Sequence, residues 1–301
     1  MIKKGTFEIS LAEFSLAESL YGGKLNHLDF PACAKEVYGI RAVEYVSGFW
    51  TRKANDRAYL KELKQRTDDL GIQNVLIMVD AEGSLGAAGK LEREKAVENH
   101  YPWIEAAASL GCMAIRANID GEGTDDEILS AAVDGYGKLL EFAANQNIHV
   151  IIENHMTVST NPDWLVDLMK QVNHPYAGCL PDFGNFTRRK MPNEWTPEAY
   201  RNAPLLATYD KYEGVRKLMP FAKGISAKTM SFDEKGYCTD TDFPTMLSIV
   251  KENISPVFLG YIGIEYGGYF LKAIGAGEKL AGETEAILAT RKLLEAARTT
   301  G

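Results

Sequence analysis

The sequence predicts an α/β fold in which eight parallel strands, alternating with helices, close into a single-domain (β/α)8 TIM barrel. Two observations lead to this prediction. Short runs rich in β-branched residues alternate with helical stretches along 301 residues, and strict alternation implies parallel strands with helical crossovers. No linker, low-complexity segment or charge block divides the chain, so residues 1–301 are predicted to form one domain. The predicted strands span residues 7–14, 41–46, 74–79, 113–118, 149–153, 177–182, 224–228 and 257–265.

Helices are predicted between these strands from apolar residues at three- and four-residue spacing. The clearest is TDDEILSAAVDGYGKLLEFAANQN, where Thr124 and Glu127 make a capping box ahead of an apolar face. In NPDWLVDLMKQV, Asn161 is the predicted N-cap and Pro162 occupies the first helical position. An open doubly wound sheet is the structural alternative. It would more often carry a glycine-rich turn after its first strand, and FEISLAEFSL has none, so we expect no nucleotide cofactor.

The charge and the apolar content of the sequence argue against nucleic acids and membranes as binding partners. The formal charge of −8 argues against a nucleic-acid surface, which normally shows a basic face. The sequence contains no run of 18 apolar residues, so it predicts no membrane span. The start, MIKKGTFEISLAEF, lacks the apolar region of a signal peptide. We therefore expect a cytoplasmic location for the chain as written. Export through a leader that has already been removed stays open. The four scattered cysteines are expected to be free thiols.

Three of the last four predicted strands finish on a carboxylate. HVIIE ends at Glu153, AGCLPD at Asp182 and YIGIE at Glu265, while GISAK ends at Lys228. Active sites of such barrels lie where the strands end, so these side chains are expected to converge at one opening. Carboxylates that close repel one another unless a cation lies between them. A divalent cation with oxygen ligands, Mg²⁺ or Mn²⁺, is one solution, and Lys228 is the other candidate counter-charge.

Four stretches give the chain a family resemblance: HLDFPACAKEVYGIRAVEYV, VIIENH, LPDFGN and IGIEY. With them the chain resembles the sugar phosphate isomerase/epimerase proteins of the xylose isomerase-like barrel superfamily, relatives of endonuclease IV. The resemblance implies metal ligation by Glu153, Asp182 and Glu265, with the two glutamates also moving protons on opposite faces of a bound sugar. Mn²⁺ or Mg²⁺ is the expected ion, ahead of Zn²⁺.

Two positions depart from the family pattern. The family usually has a metal-binding histidine in H-x-K on the seventh strand, whereas this chain has SAK, with Ser226 in place of the histidine and Lys228 kept. On the sixth strand the usual D-x-x-H is DFGN, which puts Asn185 in the substrate-contacting position. A hydroxyl is a poor replacement for imidazole. The resemblance therefore predicts either a weaker metal site of three carboxylates and water, or a metal-free site neutralised by Lys228.

Further polar residues are candidates for substrate binding. Asn185 is one, by its place in the family pattern. Arg116, near the end of the fourth strand, either binds a substrate oxygen or forms a rim salt bridge with Glu44 or Asp80. His155, just past Glu153, either contacts the substrate or supports a ligand from behind. Asp80 and Glu82 lie in the loop after the third strand and either meet substrate or turn the chain.

Aromatic residues in the loops are the remaining candidates. Phe49 and Trp50 follow the second strand and Trp195 lies in the segment after the sixth; each could wall a pocket by stacking on a sugar, with Trp50 the favoured substrate-binding residue. The segment 183–207 is long for a barrel loop, which predicts a lid or a subunit contact and leaves a homo-oligomer open.

These observations predict a metal-assisted isomerase or epimerase that acts on a small sugar or keto-sugar by proton abstraction next to a carbonyl. Two alternatives stay open: a lyase or dehydratase acting on a keto-sugar, an inosose or an oxidised glycoside, and a degenerate barrel that only binds sugar. An endonuclease is disfavoured, because the chain has only five histidines and a charge of −8.

Overall fold

Eight parallel strands form the predicted barrel. The computed structural model describes residues 7–50, 53–192, 194, 196–276 and 280–299. Its strands are β1 (Glu8–Ala12), β2 (Ala42–Val46), β3 (Gln73–Met78), β4 (Ala114–Ala117), β5 (His149–Glu153), β6 (Ala177–Leu180), β7 (Thr187–Arg189), β8 (Leu205–Thr208), β9 (Ile225–Thr229) and β10 (Tyr261–Tyr266). Hydrogen bonds join eight of them in the order β6-β5-β4-β3-β2-β1-β10-β9, whereas β7 and β8 form a separate antiparallel hairpin.

The barrel closes between β6 and β9 through isolated backbone hydrogen bonds. Lys223 N donates to Cys179 O at 3.0 Å, Ser226 N to Pro181 O at 3.0 Å, and Phe183 N to Ser226 O at 3.1 Å. Pro181 has no N–H to donate, so regular pairing stops there. For this reason β6 ends at Leu180, two residues before the predicted end, although Asp182 still forms a parallel bridge to Ser226.

The first and the last barrel strands differ most from their predicted bounds. The first ends at Ala12 because residues 13–16 wind into a 3₁₀ turn. The last begins at Tyr261, since Phe258 N bonds back to Ser255 O and turns the chain before the strand. Both differences lie at strand ends, where local hydrogen bonds compete with the sheet.

Helices surround the barrel, and the predicted caps are present. Thr124 and Glu127 form the capping box, and Asn161 caps the helix that begins with Pro162. Three short helices, at Ala17–Tyr21, Pro197–Asn202 and Gly268–Ala273, come in addition to the eight that strict alternation predicts. The helices are α1 (Ala17–Tyr21), α2 (Phe30–Glu36), α3 (Arg57–Leu70), α4 (Lys90–Leu110), α5 (Asp125–Ala144), α6 (Pro162–Val172), α7 (Pro197–Asn202), α8 (Lys211–Leu218), α9 (Phe243–Asn253), α10 (Gly268–Ala273) and α11 (Glu283–Thr299).

Alternate side chains of the strands point into the barrel and fill it in layers. Because the side-chain period of a strand is two, one face of each strand packs on the helices and the other lines the interior. Besides polar side chains, the strands carry a second cluster of buried apolar residues, which we call the apolar layer. This layer consists of Ala12, Ala42, Val46, Val75, Leu76, Met78, Ala114, Ile151 and Leu180.

The segment 183–207, predicted as a long loop, carries regular structure. It contains β7 and α7 and runs into β8, and the hairpin pairs Arg188 with Ala207. Arg188 also binds both carboxylate oxygens of Asp125 at 2.8 and 2.9 Å, which ties the hairpin to the start of α5. Trp195 lies outside the described residues.

The four cysteines are free thiols, as predicted. In the described part of the chain, no helix combines the length and the apolarity that crossing a bilayer requires.

Candidate active site

Three carboxylates meet at the C-terminal mouth of the barrel. Glu153 ends β5, Asp182 lies two residues beyond β6, and Glu265 lies near the end of β10. One oxygen from each carboxylate lies within 4.8 Å of the others. Their exposed fractions are 2%, 0% and 5%. The structure thus brings together the three strand-end carboxylates that the sequence singled out.

The backbone after β6 fixes Asp182. Its Oδ1 accepts hydrogen bonds from Gly184 N at 2.7 Å and Asn185 N at 2.9 Å. Buried Asn154 holds the same residue from the other side, accepting from Asp182 N at 2.8 Å and donating to Asp182 O at 3.0 Å. These bonds occupy Oδ1 and leave Oδ2 turned toward Ser226 and the other carboxylates.

Ser226 and Lys228 join Asp182 to Glu265. The hydroxyl of Ser226 lies 2.8 Å from Asp182 Oδ2 and 2.8 Å from Glu265 Oε2. Lys228 Nζ lies 2.6 Å from Glu265 Oε1 and 3.8 Å from Asp182 Oδ2. A serine hydroxyl has one hydrogen to donate. Ser226 can therefore donate to only one of the two carboxylates. A hydrogen bond to the other requires that carboxyl group to carry a proton and donate it to the Ser226 oxygen.

The guanidinium group of Arg116 and the side-chain amide of Asn185 hold Glu153. Arg116 Nε approaches Glu153 Oε2 at 3.0 Å as an ion pair without hydrogen-bond geometry. Asn185 Nδ2 donates to Oε1 at 2.9 Å. Arg116 is held in turn by Asp80 at 2.6 Å and by Asn118 at 3.0 Å. Of the two rim partners that the sequence offered for Arg116, the structure pairs it with Asp80.

The carboxylates differ in their tendency to hold protons. Burial raises the pKa of Glu153 and of Asp182, each to about 7, against the opposing effect of Arg116 on the first and Lys228 on the second. Burial also acts to raise the pKa of Glu265, but Lys228 and Ser226 outweigh it and the pKa lies below its usual value. At neutral pH, Glu265 is therefore an ionised partner of Lys228, whereas Glu153 and Asp182 exchange protons readily.

These residues fit a divalent cation. The Oε2 atom of Glu153 is buried and accepts no hydrogen bond from the described residues. Three carboxylates within 4.8 Å of one another supply the hard oxygen ligands that Mg²⁺ and Mn²⁺ prefer. Arg116 and Lys228 bring two positive charges against three negative ones. A cation bound to Glu153, Asp182 and Glu265 would relieve the remaining repulsion.

His155 lies beside this group. It is half-buried, and its backbone N donates to Ser159 Oγ at 3.1 Å. Burial lowers its pKa to about 4, and the charges of Arg116 and Lys228 act in the same direction. The ring is neutral at pH 7 and forms no hydrogen bond to the three carboxylates among the described residues, so it remains a candidate for contacting substrate.

The expectation that Trp50 stacks on a sugar is wrong for this structure. Its side chain is 0% exposed and lies between the strands and the helices, with ring centroids 4.9 Å from His27 and 5.5 Å from Trp103. It has no free face. The neighbouring Phe49 is half-buried and packs on the apolar layer of the barrel and on exposed Tyr21, with ring centroids 4.8 Å apart. Of the adjacent pair, Phe49 is therefore the aromatic residue on the barrel-interior side.

Glu44 is a buried carboxyl group that the sequence suggested only as a rim partner of Arg116. It lies inside the barrel, 1% exposed, and Ser10 Oγ donates to its Oε1 at 2.5 Å. A Cβ atom at Gly263 would lie 2.5 Å from its Oε2, so glycine there makes room for it. Burial raises the pKa of Glu44 to about 8, Ser10 opposes this, and the charges of Glu265 and Glu153 add to it. Glu44 is therefore protonated at neutral pH.

Glu44→Gln is expected to make the unfolding free energy of the metal-free protein fall less as the pH rises. A carboxyl group whose pKa is raised on folding stabilises the protein less as pH climbs from its unfolded value, about 4.5, to its folded value, about 8. The unfolding free energy of Glu44→Gln minus that of the wild type should therefore grow between pH 5 and pH 8, by at most about 1.4 kcal/mol per pH unit. Urea unfolding in EDTA measures it. A difference that stays constant across this range would contradict the assignment.

Glu82 lies apart from the site, since its Oε1 accepts a hydrogen bond from Trp103 Nε1 at 2.7 Å. This contact fixes the loop after β3 to α4. Of the two acidic residues noted in that loop, only Asp80 reaches the carboxylate group, through Arg116.

Comparisons with known proteins agree with the barrel fold. The family described as xylose isomerase-like TIM barrel matches residues 32–269. A sequence comparison with curated proteins found no match. Among solved structures, the IOLI protein with a bound zinc atom shares 16% identity over 97% of this chain and 98% of its own, at a TM-score of 0.66.

Two further structures are similar over nearly their whole length. A xylose isomerase-like TIM barrel protein from Mycobacterium smegmatis in complex with magnesium shares 15% identity over 99% of both chains, at a TM-score of 0.66. An L-ribulose 3-epimerase shares 13% identity over 98% of this chain and 95% of its own, at a TM-score of 0.67. At these identities the likeness shows the fold alone. The family match covers most of the sequence, and the chain belongs to the xylose isomerase-like TIM barrel family.

Proposed function

We propose that this protein is a divalent-metal-dependent isomerase or epimerase of a small sugar or keto-sugar. The observation that carries the proposal is the group of three buried carboxylates within 4.8 Å of one another at the mouth of the barrel. Active sites of such barrels lie at this face. Titratable groups of this kind, buried and perturbed together, are characteristic of catalytic sites.

Glu153, Asp182 and Glu265 would hold the cation, with Mn²⁺ or Mg²⁺ favoured by a donor set made only of oxygen. When bound, the cation supplies positive charge that stabilises the negative charge developing on the substrate's carbonyl oxygen. Zn²⁺ is less suited, since its sites in proteins more often contain histidine or cysteine.

The two glutamates are the proposed acid and base. Glu153 ends β5 and Glu265 lies in β10, and β6 and β9 separate these strands around the closed barrel. Their carboxylates therefore approach the site from different sides. One can remove the proton next to the carbonyl while the other returns a proton to the opposite face or to the neighbouring carbon. Lys228, 2.6 Å from Glu265, keeps that carboxylate ionised and ready to act as base.

Arg116 and Asn185 would position Glu153 and the substrate. Both contact Glu153, at 3.0 and 2.9 Å, and both keep further N–H donors that could bind sugar hydroxyls. His155, neutral at pH 7, is proposed as an additional hydrogen-bonding partner for the substrate. All of these residues lie at the mouth formed by the strand ends.

Exchange of substrate protons with solvent tests the proposal. Protein dialysed against Mn²⁺ is incubated in D₂O with a panel of ketopentoses and ketohexoses, and deuterium at the carbon next to the carbonyl is followed by NMR. We expect exchange into at least one ketose, and we expect EDTA to abolish it. Loss of water or of a substituent together with exchange would indicate the lyase alternative. Sugar binding without exchange would contradict catalysis and leave a sugar-binding barrel.

A further inference from the structure

A second concave surface lies beside the carboxylates on the same face of the barrel. It is a groove of about 800 Å³ between the loops after β3, β4 and β5 on one side and the β7–β8 hairpin on the other. None of the three carboxylates lines it. Thr157, which does, comes only four residues after Glu153. Asp120 lines it too, two residues after Asn118, which binds Arg116 and Asp80.

The walls of the groove are tied to one another. Gly86 and Gly121 bring two loops together so closely that a Cβ atom at either would lie within 2.5 Å of a backbone oxygen of the other loop. Thr157 Oγ1 donates to Ile119 O at 2.7 Å and so joins the loop after β5 to the one after β4. The ion pair of Arg188 with Asp125 fixes the hairpin to the start of α5. The groove is therefore formed before any ligand arrives, as most small-molecule sites are.

The lining of the groove is part apolar and part charged. Buried Ile128 and Val158 form the apolar part together with Leu206, which is 54% exposed although it belongs to a strand. Leu206 therefore offers an accessible apolar surface to a ligand in the groove. The polar part mixes both signs of charge: Arg188, Arg189 and Lys190 against Glu92, Asp120 and Glu122.

This balance favours a neutral, polyhydroxylated ligand over an anion. Arg188 is already paired with Asp125. Arg189 and Lys190 make no ion pair with a carboxylate anywhere in the described ranges, but three carboxylates face them across the groove and would repel a phosphate. A sugar ring has C–H faces that suit Ile128 and Leu206, and hydroxyl groups that use donors and acceptors alike.

We propose that the groove binds the second sugar unit of a glycoside whose ketose unit lies over Glu153, Asp182 and Glu265. The inference rests on the proposed function for the placement of the reacting unit. The volume supports it, since about 800 Å³ lies in the upper part of the range for small-molecule sites. A single sugar unit over the three carboxylates leaves the groove free for the second unit.

Two leucines of β8 provide a matched pair of variants. Leu205 and Leu206 are neighbours with similar exposure, 57% and 54%, but only Leu206 lines the groove. Leu206→Trp should fill the groove and Leu205→Trp should not. Neither side chain is buried, and tryptophan suits a strand, so both variants should fold. Neither residue belongs to the carboxylate site.

The test measures binding of D-fructose, of its glucosides turanose, maltulose and isomaltulose, and of fructose 6-phosphate to Mn²⁺-loaded protein by calorimetry. At least one disaccharide is expected to bind 10-fold or more tightly than D-fructose. Leu206→Trp should reduce that preference to less than 3-fold with D-fructose binding unchanged, and Leu205→Trp should retain it.

Three results would overturn the inference. These are disaccharides that bind no tighter than D-fructose, a preference that survives Leu206→Trp, or tightest binding of the phosphate. If the protein still exchanges the protons of D-fructose with solvent in any of these cases, the proposed function is kept and only the inference about the groove is lost. If none of these sugars binds, the inference falls, and the exchange experiment with the wider panel of ketoses decides the proposed function separately.

Discussion

Glu265→Gln is expected to lower turnover about 10³-fold, within the range that a positioned acid or base contributes, and Glu153→Gln is expected to do the same. Glutamine keeps the size of the side chain and one oxygen that can bind a cation, but it cannot take up a proton near neutral pH. At Glu153 the amide still accepts from Asn185, and Arg116 keeps Asp80 as its ion-pair partner. The loss should therefore reflect proton transfer rather than unfolding.

Turnover is measured at saturating Mn²⁺, with circular dichroism and thermal unfolding as checks on the fold. Glu141→Gln is the matched control, since Glu141 is exposed on α5. Its turnover should equal that of the wild type. Full activity in either Glu153→Gln or Glu265→Gln would remove that glutamate from the proposed acid and base pair.

Ser226→His is expected to change which cation the site prefers. Ser226 Oγ lies 2.8 Å from both Asp182 and Glu265, so a larger ligand at this position points at the centre of the carboxylate group. Imidazole is a far better ligand than a hydroxyl for cobalt and its neighbours, whereas Mg²⁺ prefers oxygen. We expect Co²⁺ to bind about 100-fold more tightly to the variant, about 2.8 kcal/mol, and Mg²⁺ to gain less than tenfold.

Cobalt absorption in the visible range follows this binding directly and does not depend on activity. Ser226→Ala serves as the control, because it removes the hydroxyl and adds no ligand. Its affinity for Co²⁺ should stay within a few-fold of the wild type. Equal Co²⁺ affinity in Ser226→His and Ser226→Ala would mean that position 226 does not face a metal site.

Much of the carboxylate site could be predicted from the sequence because strand period and strand endings are local signals. Glu153, Asp182 and Glu265 each follow an apolar run, and parallel strands in a barrel bring their ends together. Inward-facing Glu44 could have been found from the same period, since AVEYV places it on one face with Ala42 and Val46. A carboxyl group inside a barrel contradicts the usual expectation, and here the space left by Gly263 and the hydrogen bond from Ser10 accommodate it.

Other residues depend on contacts between distant parts of the chain, which periodicity does not reveal. Trp50 and Phe49 are adjacent, and the sequence does not show which of them turns into the helical layer. The partner of Arg116 is likewise set by the loop after β3. The β7–β8 hairpin was missed because TRR and LLAT are short strands that become regular only by pairing with each other.

Metal content tests the central claim most directly. The purified protein is dialysed against Mn²⁺ and then against plain buffer at pH 8, above the pKa of about 7 that burial gives Glu153 and Asp182. Manganese per chain is then counted for the wild type and for Asp182→Ala. We predict about one equivalent in the wild type and none in the variant. No manganese in the wild type, or an equal amount in both proteins, would contradict a metal site built from Glu153, Asp182 and Glu265.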